Sequence, residues 1–517
     1  MLSVRRVLLP IALTAALAFA APAAAVPPPL GGLTPFPGAA GCFNSAGTSG
    51  CTAYEPQGAG FDVVVSGTTL YASAGSALMA YRRNADGSLT PLNCVAASML
   101  AACATTDAEI VSAKRLAVST AAKALYVAVG DTGATSRILA FRLAPDGGIG
   151  ARIGCLSEVA SSGCVDVRAL SWPRDLALSA DGRKLYTAAW DPSAGGLAAF
   201  DVAADGTFAA TQPTDCVGPE GSLIAGCPPN DLTIAFAIAV RGPRLYAAWR
   251  GVLQSKSGVE VYTLGADGSI GPETGCVGLN SVNQPFCATE WDGLASPGDV
   301  LVAPDGRSLT IGTGSETITT LALDPTGAIG TRLSCETRFA TTGCTTHAGL
   351  GVVNGLATSP DGRSLYAASN IAGLWAFDRD PSSGATTGGA SCVAGSVMGC
   401  AAFAVGSAWG VAVAPDGARV YGNGEDTSAS LKGSLSVFQR EVGPSCLPTS
   451  ATVAPPATSV TLSVSCSDAN GDPITYELAG APAHGTATVS PAGSATYTPA
   501  PGFAGTDGFT YSAFDGT

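Results

Sequence analysis

Cysteine spacing constrains this chain more than any other feature. Fourteen of its sixteen cysteines fall into seven close pairs: Cys42 with Cys51, Cys94 with Cys103, Cys155 with Cys164, Cys216 with Cys227, Cys276 with Cys287, Cys335 with Cys344 and Cys392 with Cys400. Separations within a pair are 8 to 11 residues, and first members recur every 52 to 61 residues. Such a period marks a repeat architecture. Cys446 and Cys466 lie in the tail, so none is left over. An even set in an exported chain predicts a local disulfide within each of the eight pairs. A zinc thiolate site needs closer cysteines with histidine support, and the chain has only His347 and His484.

Export is read from the first residues. MLSVRR, an apolar run from Val7 to Ala20 and the small residues Ala23 to Ala25 predict a signal peptide over residues 1–25. The run is 14 residues long and contains Pro10, whereas spanning takes roughly 20. No later apolar run reaches that length, so a secreted, extracellular chain without a membrane span is expected, most simply a monomer. A formal net charge of −13 and the lack of any later Lys/Arg cluster exclude the electrostatic footprint of a nucleic-acid or anionic-lipid binder.

Between the cysteine pairs one pattern returns, clearest in LALSADGRKLYTAAW (176–190), VLVAPDGRSLTIG (300–312), GLATSPDGRSLYAAS (355–369) and GVAVAPDGARVYGNG (410–424). Apolar alternation, an Asp-Gly turn and renewed alternation make two strands and a tight turn. A third strand follows in each repeat, as in LMAYRRN, ILAFRLA and LWAFDRD. A fourth usually ends at the next cysteine. Only 13% of residues are charged, against 66 Gly and 34 Pro, which suits short strands and turns. The fold class expected is all-β: a seven-bladed β-propeller with four-stranded blades over 26–442, plus a small β-sandwich over 443–517. The seventh repeat lacks a fourth strand after LSVFQRE (435–441). Leu33-Thr34-Pro35-Phe36 matches Leu89-Thr90-Pro91-Leu92, so the N-terminal strand is expected to close the last blade.

Over residues 31–442 the repeated strand-turn-strand, Ser359 to Tyr366, Ser179 to Tyr186, Ala303 to Leu309 and Ala414 to Tyr421, resembles the YVTN/lactonase-like propeller families. The resemblance implies the architecture and says little about activity. The tail, with SDANGDPITYELAGAPAHGTATVSPAGSATYTPAPGFAGTDGFTYSAFDG, resembles bacterial immunoglobulin-like, cadherin-like modules of exported and surface proteins. Such modules usually continue for one strand beyond Tyr511 to Gly516, so an incomplete sandwich is expected. Asp468, Asn470 and Asp472 offer hard oxygens for calcium, with Asp507 or Asp515 as completions, while an Asx turn is the plainer reading.

Function is expected on the face that carries the disulfide loops and the variable second-to-third connections. Trp172, Trp190, Trp249, Trp291 and Trp409 map there, as an aromatic floor or as packing beneath the loops. Asp62, Arg115, Arg174, Asp175, Asp299, Asn354 and Trp409 lead into the first strands and should ring the channel mouth, to bind a polar ligand or to satisfy one another. The opposite face, with Asp181-Gly182, Asp305-Gly306, Asp361-Gly362 and Asp416-Gly417, reads as uniform scaffold. No catalytic constellation emerges, since His347 has no nucleophile elbow near it. The leading expectation is extracellular, surface-associated recognition of a glycan, peptide or protein. The alternative, from the resemblance, is a lactonase-like hydrolase acting in the central channel.

Overall fold

The computed structural model describes residues 32–38, 41–44, 51–54, 59–130, 135–159, 163–191, 195–209, 212–218, 224, 226–228, 234–250, 257–279, 287, 289–291, 293–371, 373–394, 400–402, 406–426, 432–453, 458–468 and 472–515. The expected signal peptide and Asn470 lie outside them. Among the described residues there is no α-helix, and no helix long and apolar enough to cross a membrane.

The Asp-Gly repeats fold as the turn chemistry dictates. Pro173–Leu178 and Lys184–Ala189 pair antiparallel across Asp181-Gly182. Gly182 has φ 69°, left-handed backbone that glycine adopts without a Cβ clash. Asp181 Oδ1 accepts from Ser179 Oγ at 2.6 Å and Arg183 N at 3.1 Å, closing the turn with its own side chain.

Among the described residues, seven sheets of four or more strands result. We number them by their first strands: Val63–Ser66, Ala113–Ser119, Pro173–Leu178, Ala235–Arg241, Pro297–Val302, Val353–Thr358 and Ala408–Val413. Each first strand packs on the next, and the seventh packs on the first, so the sheets close a ring. The seventh takes its outer strands from the start of the chain: Leu33–Pro35 and Cys42–Asn44 both pair antiparallel with Lys432–Arg440.

The repeated tyrosine links sheets. Tyr71, Tyr126, Tyr186 and Tyr246 each donate to a turn carbonyl of the next sheet, Gly147, Gly206, Gly268 and Gly327, at 2.8 to 2.9 Å. Apolar clusters also form between sheets rather than within them. Tyr126 and Leu156 of the second, for example, meet Leu176, Leu185 and Phe200 of the third.

Every cysteine pair expected from spacing is bonded. Within the ring Cys42 joins Cys51, Cys94 joins Cys103, Cys155 joins Cys164 and Cys216 joins Cys227. Cys276 joins Cys287, Cys335 joins Cys344 and Cys392 joins Cys400. Such a set belongs to an oxidising compartment, extracellular or periplasmic. The structure departs from four-stranded sheets here. Six sheets carry a short fifth strand, parallel to the outer one, such as Thr105–Thr106 beside Val95 and Ala96. The reason is the disulfide itself. The bond from Cys94 to Cys103 folds the chain back along the outer strand, and two residues then complete its free ladder.

The C-terminal module pairs Val460–Ser463 and Gly485–Val489 with Ser494–Pro499, and Thr475–Gly480 with Thr510–Phe514. Its disulfide joins directly opposed residues, Cys446 and Cys466.

Candidate functional site: the mouth of the ring

The residues expected at the channel mouth divide into two layers, because the first strands are irregular. In sheets two to seven the register with the second strand skips one residue near its start. The skipped residues are Lys114, Arg174, Phe236, Gly298, Asn354 and Trp409. Phe61 precedes the corresponding Asp62 in the first sheet. A bulge re-aims one side chain away from the pleat, which applies to five of these six positions because Gly298 has no side chain.

The residues that follow the bulges form a seal. Arg115, 17% exposed, reaches Asp62, Asp175 and Asp299 at 3.7 to 3.8 Å, and its Nη2 donates to Asn354 O at 3.0 Å. Each carboxylate is also committed to backbone. Asp62 accepts from Leu116 N, Asp175 from Ile238 N and Asp299 from Leu356 N, at 2.7 to 2.8 Å, each on the neighbouring sheet. Three enclosed carboxylates share one guanidinium, so burial dominates their titration. It pushes Asp62 up to about 6 and Asp299 up to about 7, and raises Asp175, while Arg115 pulls all three down.

Above the seal, the bulge residues touch across sheets. Phe61 and Trp409 meet edge to face with centroids 5.6 Å apart, and Lys114 Nζ lies 3.9 Å from the Phe61 centroid. Arg174 stacks over Phe236 at 5.7 Å and Trp190 at 5.2 Å, and Arg250 covers Phe236 at 5.1 Å. Trp190 stacks in turn on Trp172, with centroids 4.5 Å apart. All these side chains are half-buried. Trp172 holds φ 59°, and a left-handed bulky residue is a strained state found where geometry is over-determined. Beside it Ser171 Oγ donates to Asp191 Oδ2 at 3.1 Å. Burial, with Asp191 and Asp166 adding, pushes Glu158 up to about 7, although Ser171 pulls it down.

The mouth thus unites Arg174, Asn354 and Trp409 with Trp172 and Trp190, while Asp62, Arg115, Asp175 and Asp299 lie in its floor. Two expected tryptophans stand apart. Trp249 is fully buried in the core between sheets three and four. Trp291 sits in the short strand Thr289–Trp291 beneath Arg332. Phe61, Lys114 and Phe236 are the mouth residues that sequence reasoning missed. Their signal is the position immediately before Asp62, Arg115 and Ala237.

His347 is a structural peg. Its Nε2 pairs with Glu336 Oε2 at 2.7 Å, and its ring meets Trp375 and Phe377 edge to face. In the module, Asp472 N donates to Asp468 Oδ1 at 3.1 Å. Asp507 anchors a turn, accepting from Ala483 N, His484 N and Tyr497 Oη. Among the described residues no three His, Cys, Asp or Glu side chains already stand at metal-ligand spacing.

No curated protein matches the chain. Among solved structures it is similar to Kuenenia stuttgartiensis hydrazine synthase, at 14% identity and TM-score 0.47, over 76% of this chain and 99% of that one. It is also similar to the periplasmic gluconolactonase of Pseudomonas aeruginosa, at 19% identity and TM-score 0.44, over 74% of this chain and 96% of that one. Residues 444–517 match the family model of a bacterial Ig domain.

Proposed function

We propose that this chain is a secreted recognition protein, a seven-bladed propeller of the YVTN type, whose mouth ring binds an extracellular glycan. The observation that carries the reading is the layer of half-buried rings and cations above a closed floor. Aromatic faces take the apolar faces of sugars, and Lys114, Arg174 and Asn354 supply donors for hydroxyl and carboxylate oxygens. A rigid ring presents them with little ordering cost on binding. Acidic sugars fit this donor set best.

The experiment is a titration of the purified chain with neutral and uronate-containing oligosaccharides. Trp409→Ala and Arg174→Ala should each weaken uronate binding about tenfold, the loss expected for one good contact. Binding that is equal in wild type and both variants overturns the assignment.

The convergence of Arg115 with three aspartates favours a second reading, lactone hydrolysis in the channel. Against it, every one of those carboxylates already accepts from a backbone N–H and faces Arg115. Their raised titration follows from enclosure first. Lactone turnover above background that disappears in Asp299→Asn would establish the hydrolase instead.

For the module, calcium remains our proposal at Asp468, Asn470 and Asp472, with Asp515 as the completing carboxylate. Glu441 follows the last strand before it, is 5% exposed and leaves Oε1 without a hydrogen-bond partner. The three aspartates press on its carboxylate. Calcium should raise the melting temperature of the full chain, and identical melting in calcium and in chelator rejects the site.

A further inference from the structure

The face read from sequence as uniform scaffold contains a cleft of about 660 Å³ between the turns of sheets four, five and six. Arg241, Arg244 and Arg307 line it.

The cleft arises where the repeat breaks its own charge pattern. At three other joins an arginine ending a third strand pairs with the turn aspartate of the preceding sheet: Arg83 with Asp416, Arg379 with Asp305 and Arg440 with Asp361, at 2.8 to 3.1 Å. Sheet four replaces that turn. It pairs Ala239 with Tyr246 and Val240 with Leu245, as sheet three pairs Ala177 with Tyr186 and Leu178 with Leu185, so the two-residue turn Gly242-Pro243 stands where sheet three has Ala180-Asp181-Gly182-Arg183. The turn aspartate is therefore lost, Arg241 occupies the position of Ser179, and Leu323 of sheet five occupies that of the arginine. A second exchange reinforces the first. Lys184 faces Asp201 across its strand pair and bonds it at 2.6 Å, whereas Arg244 faces Thr263.

The guanidinium groups are held in place by neutral partners. Arg241 Nη2 donates to Pro304 O. Arg244 donates through Nε to Thr326 O and through Nη1 to Thr274 Oγ1, both at 2.8 Å. Arg307 Nη1 donates to Ser382 O at 3.1 Å. Among the described residues none of the three forms an ion pair with a carboxylate. Each guanidinium carries five N–H donors, so these bonds fix the heads and leave donors over for a ligand. Of the two acids in the lining, Asp305 is engaged by Arg379, and Asp324 caps its own turn at Thr326 and Ala328. A concentration of fixed positive charge in a chain of net charge −13 is not a solubility device.

We propose that this cleft is an anion-binding site for a sulfate or phosphate ester group carried on an extracellular polymer. Planar guanidinium donors suit a tetrahedral oxyanion, which can accept from several at once. The exposed setting makes binding salt-sensitive. The site lies on the face opposite the mouth ring and does not depend on it.

The test titrates the full chain with inorganic sulfate, inorganic phosphate, dextran sulfate and neutral dextran. Dextran sulfate should bind, neutral dextran should not, and preference between the two inorganic ions identifies the ester. Arg241 is exposed, so folding should survive Arg241→Asp, as unchanged melting would show. It should weaken dextran sulfate binding at least tenfold, about the size of one lost charge-assisted contact. Arg183→Ala, an exposed position on the same face but outside the cleft, should leave that binding unchanged. Equal binding of dextran and dextran sulfate, insensitivity to Arg241→Asp, or an equal loss in Arg183→Ala would each overturn the proposal.

Discussion

Arg115→Met should cost about 3–5 kcal/mol at pH 7, the range for removing one partner of a buried ion pair, seen as a large fall in melting temperature. Three carboxylates, from sheets one, three and five, face this one guanidinium. Methionine fills space but supplies no charge. The sign of the pH dependence follows from the direction of the shifts. Burial raises Asp62 to about 6 and Asp299 to about 7, so between about pH 4 and pH 7 the fold holds protons that the unfolded chain has released. Stability from this cluster is therefore greatest below the ordinary carboxylate range and falls as pH rises to 7. Without Arg115 the carboxylates rise further. The variant's deficit should be largest at pH 7 and shrink clearly by pH 5. Equal deficits at both values would mean that Arg115 acts by packing alone. Should Arg115→Met fail to fold at either pH, Asp299→Asn decides the matter. It keeps an acceptor for Leu356 N and removes one of the competing charges, so it should melt no lower than wild type at pH 7 and with a flatter pH profile.

The all-β class and the bonded cysteines are legible in the chain because both are written in short-range pattern. An Asp-Gly turn between alternating segments admits few other folds, and Tyr186 or Tyr246 recurs because each reaches the same carbonyl of the next sheet. The fifth strands are not legible. Thr105–Thr106 is two residues long and has no period to detect. The layering of the mouth is half legible. Positions near the start of each first strand can be identified, but a bulge has no compositional mark, so nothing in the sequence separates the outward Arg174 from the inward Asp175. Alternation alone puts them on opposite faces without saying which one meets the axis. The tryptophans mislead for a related reason. Trp249 is the last residue but one of a second strand and Trp190 follows one, yet Trp249 is enclosed by sheets three and four while Trp190 is half-buried. The turn face is misjudged when turns are compared for shape. Gly242-Pro243 closes its strand pair as the Asp181-Gly182 turn does but with two residues fewer, so the aspartate is lost and an exposed arginine stands beside the turn.

The closing strand sets the other large effect. Lys432–Arg440 has its outer ladder filled by residues from the opposite end of the chain: Leu33 opposes Arg440, Pro35 opposes Phe438, and Cys42 opposes Ser436. Phe43 is 1% exposed and packs 5.1 Å from the Tyr81 ring of sheet one, so the same segment also fills the join between the last sheet and the first. Phe43→Ala should cost about 3–5 kcal/mol, the range for truncating a buried aromatic side chain. Removing residues 26–44, with Cys51→Ser to avoid a lone thiol, should do more. It uncovers a flat strand with unpaired N–H and C=O groups and opens an apolar seam beside it, and an edge of that kind recruits another chain. The truncated protein should self-associate in size-exclusion chromatography with light scattering, and a synthetic peptide of residues 31–44 should return it to the monomer. The peptide is short and pairs along a rigid edge, so rescue should require residues 33–35 and 42–44 together: the first group fixes register at Arg440 and the second supplies Phe43. A truncated chain that stays monomeric and melts at the wild-type temperature would show that the ring is held by the sheet-to-sheet contacts of its first strands alone.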